Sequence, residues 1–391
     1  FKIVFVSFLF LISLATFVSQ TELVSFLYNS LHFNQPFLLL YLTHCAWILF
    51  WFLQTILIAV YKRVAHASLA HCSLRLFVLD ELDLAHQISS FICSSNDQDT
   101  ASNDARIAQP SDPLLANVAV FFTSPPVVCM AAYSFVLSLI LNTAASTWYI
   151  SMNLTTSNNV TAIYNSSPFF AYVFAVFLLS DEFFSWLKVS SVLMAIVGIF
   201  IVIYSTHTGH AEADGSKPHQ LFGNLLILFG SILYGYYDVF YKKYLCPTTD
   251  SYSSLNSMQK ANYSNFVMTL IGFASFVILT AFVVVVKVFF HTSHLARALL
   301  DLSAISSQQW LYISLSVLSN IVFCSASLIL MSLTSPVLTA VSSILTIIFV
   351  GVIEWIFFRI GLTLGQILGD LVVLLGFIGL TITYWSDISS D

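Results

Sequence analysis

Residues 155–182 read TTSNNVTAIYNSSPFFAYVFAVFLLSDE, and residues 334–354 read TSPVLTAVSSILTIIFVGVIE. Each stretch carries a Thr-Ser pair at its start (156–157 and 334–335) and a Thr-Ala pair five residues further on. Both then continue as apolar runs long enough to cross a bilayer as a helix. Polar residues at the start of an otherwise apolar helix, repeated in two halves of the chain, predict two related membrane-embedded units.

Composition supports a membrane protein. Of 391 residues, 58% are hydrophobic and 8% are charged, whereas soluble domains are about 25% charged. Too few charges remain to cover a soluble fold of this size, which excludes a soluble enzyme, a nucleic-acid binder and a disordered scaffold. The net charge is -6, with no basic block that would bind nucleic acid. The six cysteines are scattered without the spacing of a metal site or a disulfide framework.

The apolar runs are continuous and of helix length, so they predict α-helices rather than the alternating strands of a membrane barrel. We therefore expect an all-α membrane protein of ten transmembrane helices. The ten predicted spans are 2–27, 36–60, 127–151, 155–179, 186–206, 221–245, 263–288, 308–331, 335–358 and 364–385.

The loops divide the spans into two groups. The polar linker 207–220 separates a first unit, 1–206, from a second unit, 221–391, with five spans in each. Because five is odd, the second unit must enter the membrane upside down relative to the first, which is the inverted-repeat plan of many secondary transporters. The long loop 61–118 should hold a surface helix near its start, and its polar stretch 94–113 has too little apolar surface to fold.

Lys and Arg are commoner in cytoplasmic loops. With a cytosolic N-terminus, nine of the thirteen Lys and Arg residues lie on the cytosolic side and four on the other. Four of the nine belong to the loop 61–118, and long loops obey the rule weakly. The count predicts that both termini and this loop face the cytosol. We expect an integral, multi-pass protein of an endomembrane, Golgi or vacuole-like.

Five motifs follow one another along the chain: FNQPFLLLYLTH (33–44), LLSDEFF (178–184), GIFIVIYS (198–205), LYGYYDVFYKKYL (233–245) and SPVLTAVSSIL (335–345). In this order they resemble the drug/metabolite transporter superfamily with its EamA-like repeats. Within it the chain is most similar to solute carrier family 35, subfamily F, and its fungal and protist relatives. The resemblance implies a secondary transporter whose central cavity is lined by spans 1–4 and 6–9.

Charges inside the predicted spans are costly and are functional hypotheses by default. Glu22, Asp238 and Glu354 are the acidic candidates for binding a cationic solute or carrying a coupled proton. The alternative is that they lie near the ends of their spans and reach interfacial water. For Asp238 a second alternative is a local ion pair with Lys242, four residues further along the helix.

Small polar residues mark the fourth and ninth spans. Asn158, Thr161 and Asn165 share one helical face in the first half, and Thr339 and Ser343 belong to the matching face in the second. Such a face predicts a lining for the solute path. The alternative is that these side chains only join neighbouring helices, as small polar residues do in lipid.

Further candidates come from the second, sixth and eighth spans. Tyr234 and Tyr237 recur at helical spacing and could flank a planar solute, although tyrosines also anchor helices at the membrane interface. His44 and Asn320 are weaker candidates for the cavity wall.

These features favour a transporter that moves a small polar organic solute by alternating access. The solute is expected to be neutral or cationic, for example a vitamin-like or cofactor-like compound. No Walker-A pattern is present, so we expect a coupled proton or an exchanged solute to drive it, without an enzymatic reaction or a cofactor. A homodimer in the lipid bilayer is a further expectation. The alternatives are a nucleotide-sugar antiporter and a membrane scaffold or receptor that does not transport.

Overall fold

The structure of the protein is a computed structural model. It describes residues 2–65, 74–94, 112–155, 157–179, 184–210, 220–246, 256–289, 302, 305–334, 349 and single positions between 364 and 382. Within these residues the regular structure is entirely helical. The all-α prediction is thereby confirmed, whereas the predicted division into 1–206 and 221–391 stays a prediction.

Twelve α-helices and one 3-10 turn have defined bounds in the described residues. The helices are α1 Lys2–Asn29, α2 Pro36–Cys45, α3 Phe50–Ala65, α4 Leu74–Ser94, α5 Leu114–Thr123, α6 Pro125–Leu154, α7 Ser157–Tyr164, α8 Ser167–Leu178, α9 Trp186–His210, α10 Gln220–Leu245, α11 Ser257–Phe289 and α12 Ser307–Leu333. The 3-10 turn Ala46–Leu49 joins α2 to α3.

Among the described residues, five helical segments are long and apolar enough to cross a membrane: Val4–Tyr28, Pro36–Ile56, Pro125–Leu154, Met258–Phe289 and Ser307–Leu333. By their length and composition, these segments indicate a multi-pass membrane protein. The first eight predicted spans coincide with described helices. The ninth, 335–358, lies outside the described residues apart from position 349, and the described positions of the tenth are helical.

Two of the predicted spans are broken in their middle. The second changes from α-helix to a 3-10 turn at Ala46–Leu49. The fourth stops at Tyr164 and resumes at Ser167, with Pro168 in the first turn of α8, where the missing N–H costs nothing. Broken helices in membrane proteins occur where the backbone is buried in protein or lines a cavity.

The 3-10 turn is held by one side chain of α11. The Thr269 hydroxyl donates to the carbonyl oxygen of Trp47 at 3.2 Å and accepts from the backbone N–H of Trp51 at 3.2 Å. A Cβ at Gly272, one turn further along α11, would lie 2.8 Å from the Trp47 Cβ and the Ile48 nitrogen. The absence of a side chain at Gly272 therefore lets α11 approach the turn closely.

Helix α10 packs against α6 on one side and against α7 and α8 on another. A Cβ at Gly235 would lie 2.7 Å from the Ala171 nitrogen and 2.8 Å from the Ser167 carbonyl oxygen. The Ser231 hydroxyl lies 2.9 Å from that of Ser166 and donates to the Tyr164 carbonyl oxygen at 3.2 Å. Gly235 and Ser231 thus allow α10 to pack closely against the break in the fourth span.

The long loop contains a packed helix, which differs from the surface helix that the sequence predicted over 65–84. Helix α4 begins at Leu74 and buries Leu79, Leu82 and Ile88 in the same core as residues of α5, α6 and α11. Its apolar positions recur every three to four residues, so one face of the helix can be buried against the core. Residues 66–73 and 95–111 lie outside the described part of the chain, and with them most of the predicted unfolded stretch.

Covalent and polar contacts tie α4 to its neighbours. Cys93 and Cys129 form a disulfide bond between α4 and α6, with Cα atoms 6.6 Å apart. No cysteine spacing in the sequence indicated this bond, because its two cysteines are 36 residues apart. The Asn262 amide donates to both Glu81 carboxylate oxygens at 3.2 Å, and the Gln54 amide donates to Asn262 at 2.7 Å. These contacts join α3, α4 and α11.

Candidate functional site

A cavity of about 70 Å³ lies inside the bundle. It has room for a few water molecules, each of which occupies roughly 30 Å³ in the liquid. Its wall comes from α1, α2, the 3-10 turn, α6, α7, α10 and α12, and mixes aromatic rings with amide and imidazole groups. The residues of the wall are Phe17, Gln20, His44, Trp47, Leu141, Ala145, Trp148, Tyr149, Tyr164, Tyr234, Tyr237, Asn320, Phe323, Cys324, Ser327, Leu328 and Met331.

Several polar groups of the wall are bonded to one another. The Trp47 indole N–H donates to the Asn320 carbonyl oxygen at 2.9 Å, and the Asn320 amide donates to the Gln20 carbonyl oxygen at 3.2 Å. The Gln20 amide reaches the Tyr149 hydroxyl at 3.5 Å, and that hydroxyl lies 3.2 Å from Thr43. These hydrogen bonds link α1, α2, α6 and α12, and Asn320 lies in the cavity wall.

His44 lies beside Trp47 in the cavity wall. Its ring lies 4.5 Å from the Trp47 ring, centroid to centroid. Its Nδ1 lies 2.7 Å from the Asn142 carbonyl oxygen on α6. The side chain is only 4% exposed. His44 and Trp47 are three residues apart, a spacing that places side chains on one face of a helix, and both line the cavity.

Three tyrosines form the wall on the side of α7 and α10. The Tyr234 ring stacks on Tyr237 at 5.4 Å and lies tilted against Tyr164 at 5.0 Å, both between centroids. Asp238 follows directly, is 1% exposed, and lies within electrostatic range of the Tyr164 and Tyr234 hydroxyls. Its Oδ2 has no hydrogen-bonding partner among the described residues. Asp238 therefore buries an unpartnered carboxyl oxygen next to the tyrosines, and it does not itself belong to the described cavity wall.

Lys242 does not pair with Asp238. Its Nζ donates to the carbonyl oxygens of Met331 at 3.2 Å and Thr334 at 3.0 Å. These are carbonyls at the C-terminal end of α12, which have no intrahelical donor and carry the negative end of the helix dipole. The i,i+4 ion pair considered from the sequence is therefore replaced by a contact that ties α10 to the end of α12.

The remaining predicted site residues fall into three groups. Thr161 and Asn165 are buried on and beside α7, and Glu22 is half-buried in α1; none of the three belongs to the described cavity wall. Asn158 lies in α7, and nothing is described of its side chain. Thr339, Ser343 and Glu354 lie outside the described residues.

Sequence reasoning missed five polar residues in or next to the cavity wall: Gln20, Asn142, Tyr149, Tyr164 and Ser327. Gln20 and Asn142 are amides inside apolar runs, and an amide buried in a membrane helix needs a partner as much as a charge does. A search of the spans for isolated amides would have found both. The two tyrosines carry no such signal, because the chain contains 17 tyrosines.

Comparisons with known proteins add little. No protein-family model matches the chain, and no curated protein matches it. A solved structure described as "Crystal structure of protein" aligns with 88% of this chain and 98% of its own length. The identity is 13% and the TM-score is 0.42, which is too low to support an inference.

Proposed function

We propose that the protein is a secondary transporter that moves a small polar organic solute by alternating access. The observation that carries this proposal is a cavity within an apolar helical bundle whose wall combines aromatic rings with amide, imidazole and hydroxyl groups. In inverted-repeat transporters the solute lies near the midplane, where broken helices meet. The two interrupted spans contribute His44, Trp47 and Tyr164 to the wall. Ten spans arranged as two inverted five-helix repeats are part of the proposal.

The charge near the cavity favours a neutral or cationic solute. The described wall contains aromatic, amide, imidazole, thiol, hydroxyl and aliphatic groups, and no Lys or Arg. A nucleotide sugar brings a diphosphate, which requires fixed cationic donors. Lys242 is the nearby cation, and both of its described hydrogen bonds go to carbonyls of α12. The nucleotide-sugar alternative therefore lacks a phosphate-binding group in the described wall.

Asp238 is the residue we expect to interact with the charge of the solute or with a coupled proton. Leaving a buried polar group unsatisfied costs about 1–3 kcal/mol, and more for a charged group. Asp238 Oδ2 is in this position among the described residues. The burial of Asp238 without a partner for Oδ2 is explained if this oxygen gains a partner when a solute or a proton binds.

The test is flux in vesicles. Purified protein is screened by thermal shift against vitamins, polyamines and nucleotide sugars, and each stabilising compound is then assayed for uptake into proteoliposomes. A ligand at 100 times its Kd stabilises by about 2.7 kcal/mol. We expect a neutral or cationic compound to bind and to be taken up. Binding without uptake, under both inward and outward gradients, would instead favour the receptor or scaffold alternative.

Asp238→Asn separates a functional from a structural role, because it keeps the shape and removes the charge. We expect at least a tenfold loss of uptake of a cationic solute, with smaller loss for a neutral one. Lys242→Gln is the matched control: it should lower thermal stability, because two carbonyls of α12 lose a cationic donor, and should leave uptake per folded molecule near the wild-type value. Equal transport by wild type and Asp238→Asn would contradict the proposed role.

A further inference from the structure

The hydrogen bonds of Asn142 allow only one orientation of its amide. Nδ2 lies 2.8 Å from the Ser138 carbonyl oxygen and 2.9 Å from the Ser275 hydroxyl. A backbone carbonyl oxygen only accepts hydrogen bonds. The atom facing Ser138 must therefore be the amide nitrogen, and the amide oxygen is the atom that faces His44.

This orientation determines where His44 carries its proton. The Asn142 oxygen lies 2.7 Å from His44 Nδ1. Because an amide oxygen only accepts, Nδ1 must be the N–H donor. In the neutral imidazole the other nitrogen, Nε2, then holds a lone pair and is an acceptor.

The Nε2 acceptor is available within the cavity. His44 belongs to the cavity wall, and the one described hydrogen bond of its imidazole is the bond from Nδ1 to Asn142. Gln20, Asn320 and Tyr149, by contrast, are bonded to one another or to neighbouring side chains. The wall therefore offers an oriented acceptor to whatever occupies the cavity.

We propose that His44 Nε2 accepts a hydrogen bond from an N–H or O–H group of the solute. Asn142 is the positioning residue that holds His44 in the required tautomer. This inference rests on the proposed solute site and adds a chemical requirement: the solute presents a hydrogen-bond donor at the α2 side of the cavity. A solute without that donor lacks this hydrogen bond, and the loss of its net contribution weakens binding roughly three- to tenfold.

The tautomer is tested first. Protein labelled with [15N]histidine is measured by NMR, and the signals of His44 are identified by their loss in His44→Gln. We expect a protonated Nδ1 and an unprotonated Nε2. In Asn142→Leu the ring should lose this preference and populate the other tautomer, whereas a purely structural role of Asn142 would leave the signals unchanged. A wild-type His44 protonated at Nε2 overturns the inference.

Recognition of the donor is tested with two isomeric probes of equal size, 4-methylpyrazole and 1-methylpyrazole. Both are neutral at pH 7.5, and only the first has an N–H group. Dissociation constants are measured in detergent by the fluorescence of Trp47 and Trp148, which line the cavity. We expect 4-methylpyrazole to bind roughly three- to tenfold more tightly.

Three variants identify the acceptor. His44→Asn is too short to reach the Nε2 position and should abolish the preference between the probes. His44→Gln places an amide oxygen near that position and should retain part of it. His86→Gln changes a half-exposed histidine of α4, away from the described wall, and should leave the preference unchanged.

The inference is overturned if wild type binds the two probes equally, if it binds neither, or if His44→Asn keeps the preference. The comparison of the two probes on the wild-type protein tests the inference even if a variant does not fold. Binding in detergent does not require translocation, so this result is separate from the flux assay. The donor requirement can hold for a receptor that transports nothing, and it can fail while uptake is intact.

Discussion

At the scale of single residues, Thr269 compensates for a break in a membrane helix. The change to a 3-10 turn leaves the Trp47 carbonyl and the Trp51 N–H beside α11, and one hydroxyl bonds both. A hydroxyl can do this because it donates and accepts at once. The consequence reaches the cavity, since Trp47 belongs to its wall.

Thr269→Val tests this role, because valine has the shape of threonine without the hydroxyl. The Trp51 N–H loses this acceptor, while the Trp47 carbonyl keeps the N–H of Phe50. We expect a loss of about 1–3 kcal/mol in stability. Thr269→Ser keeps the hydroxyl and is the matched control, with a smaller loss. Thermal unfolding in detergent compares the two. Equal destabilisation by both variants would show that the methyl group, and not the hydroxyl, matters.

Gly235 and Gly230 give a second comparison, between backbone and side-chain contacts. A Cβ at Gly235 would meet the backbone of α8, whereas one at Gly230 would meet the Thr147 hydroxyl. We expect Gly235→Ala to destabilise by about 1–3 kcal/mol and no side-chain change to restore it. Gly230→Ala should be largely rescued by Thr147→Ala. The yield of monodisperse protein and its thermal midpoint check both, and rescue failing at Gly230 would contradict the packing.

At the scale of helices, α4 is joined to α6 by the Cys93–Cys129 bond. Disulfides persist in oxidising compartments and are rare in the cytosol. The bond therefore favours a non-cytosolic location for this end of the bundle, opposite to the one that the Lys and Arg count predicts. That count depends on the loop 61–118, whose charges are weak evidence in a loop of this length.

Removal of the bond should cost about 3–4 kcal/mol, from the chain entropy of a closed loop of this length. Cys93→Ser, Cys129→Ser and the double variant should lose equal stability, because each removes the same bond. Cys45→Ser, which changes a free thiol, is the control. Non-reducing gels and thermal unfolding make the comparison. Additive losses from the single variants would mean that the two cysteines act separately.

At the scale of the whole molecule, the inverted-repeat proposal makes a topological prediction. Three predicted spans separate the loop 61–118 from the linker 207–220, so these two segments should lie on opposite sides of the membrane. Single cysteines at Ser102 and Ser216 report this, in a variant that keeps the Cys93–Cys129 bond and lacks the other four cysteines.

An impermeant maleimide applied to sealed vesicles should label one site before lysis and the other only after it. Labelling of both from one side would rule out a first unit of five spans. The same experiment determines orientation: access to Ser102→Cys from the cytosolic side supports the charge count, and protection from that side agrees with the disulfide.

The sequence by itself determined the class of the protein and the positions of most helices. Low charge and continuous apolar runs leave no other way to satisfy the backbone in lipid, and eight predicted spans match described helices. Single polar residues such as His44 and Asn320 were recognisable because each stands out in an apolar run.

Only the tertiary structure decided which of these residues meet. Helical spacing gives a face but not its neighbour, so it could not show that Lys242 binds the end of α12 rather than Asp238. It could not pair Cys93 with Cys129 or orient His44 through Asn142, because these contacts join segments far apart in the chain. Partner choice across a bundle depends on how helices cross, and this depends on the packing of all of them together.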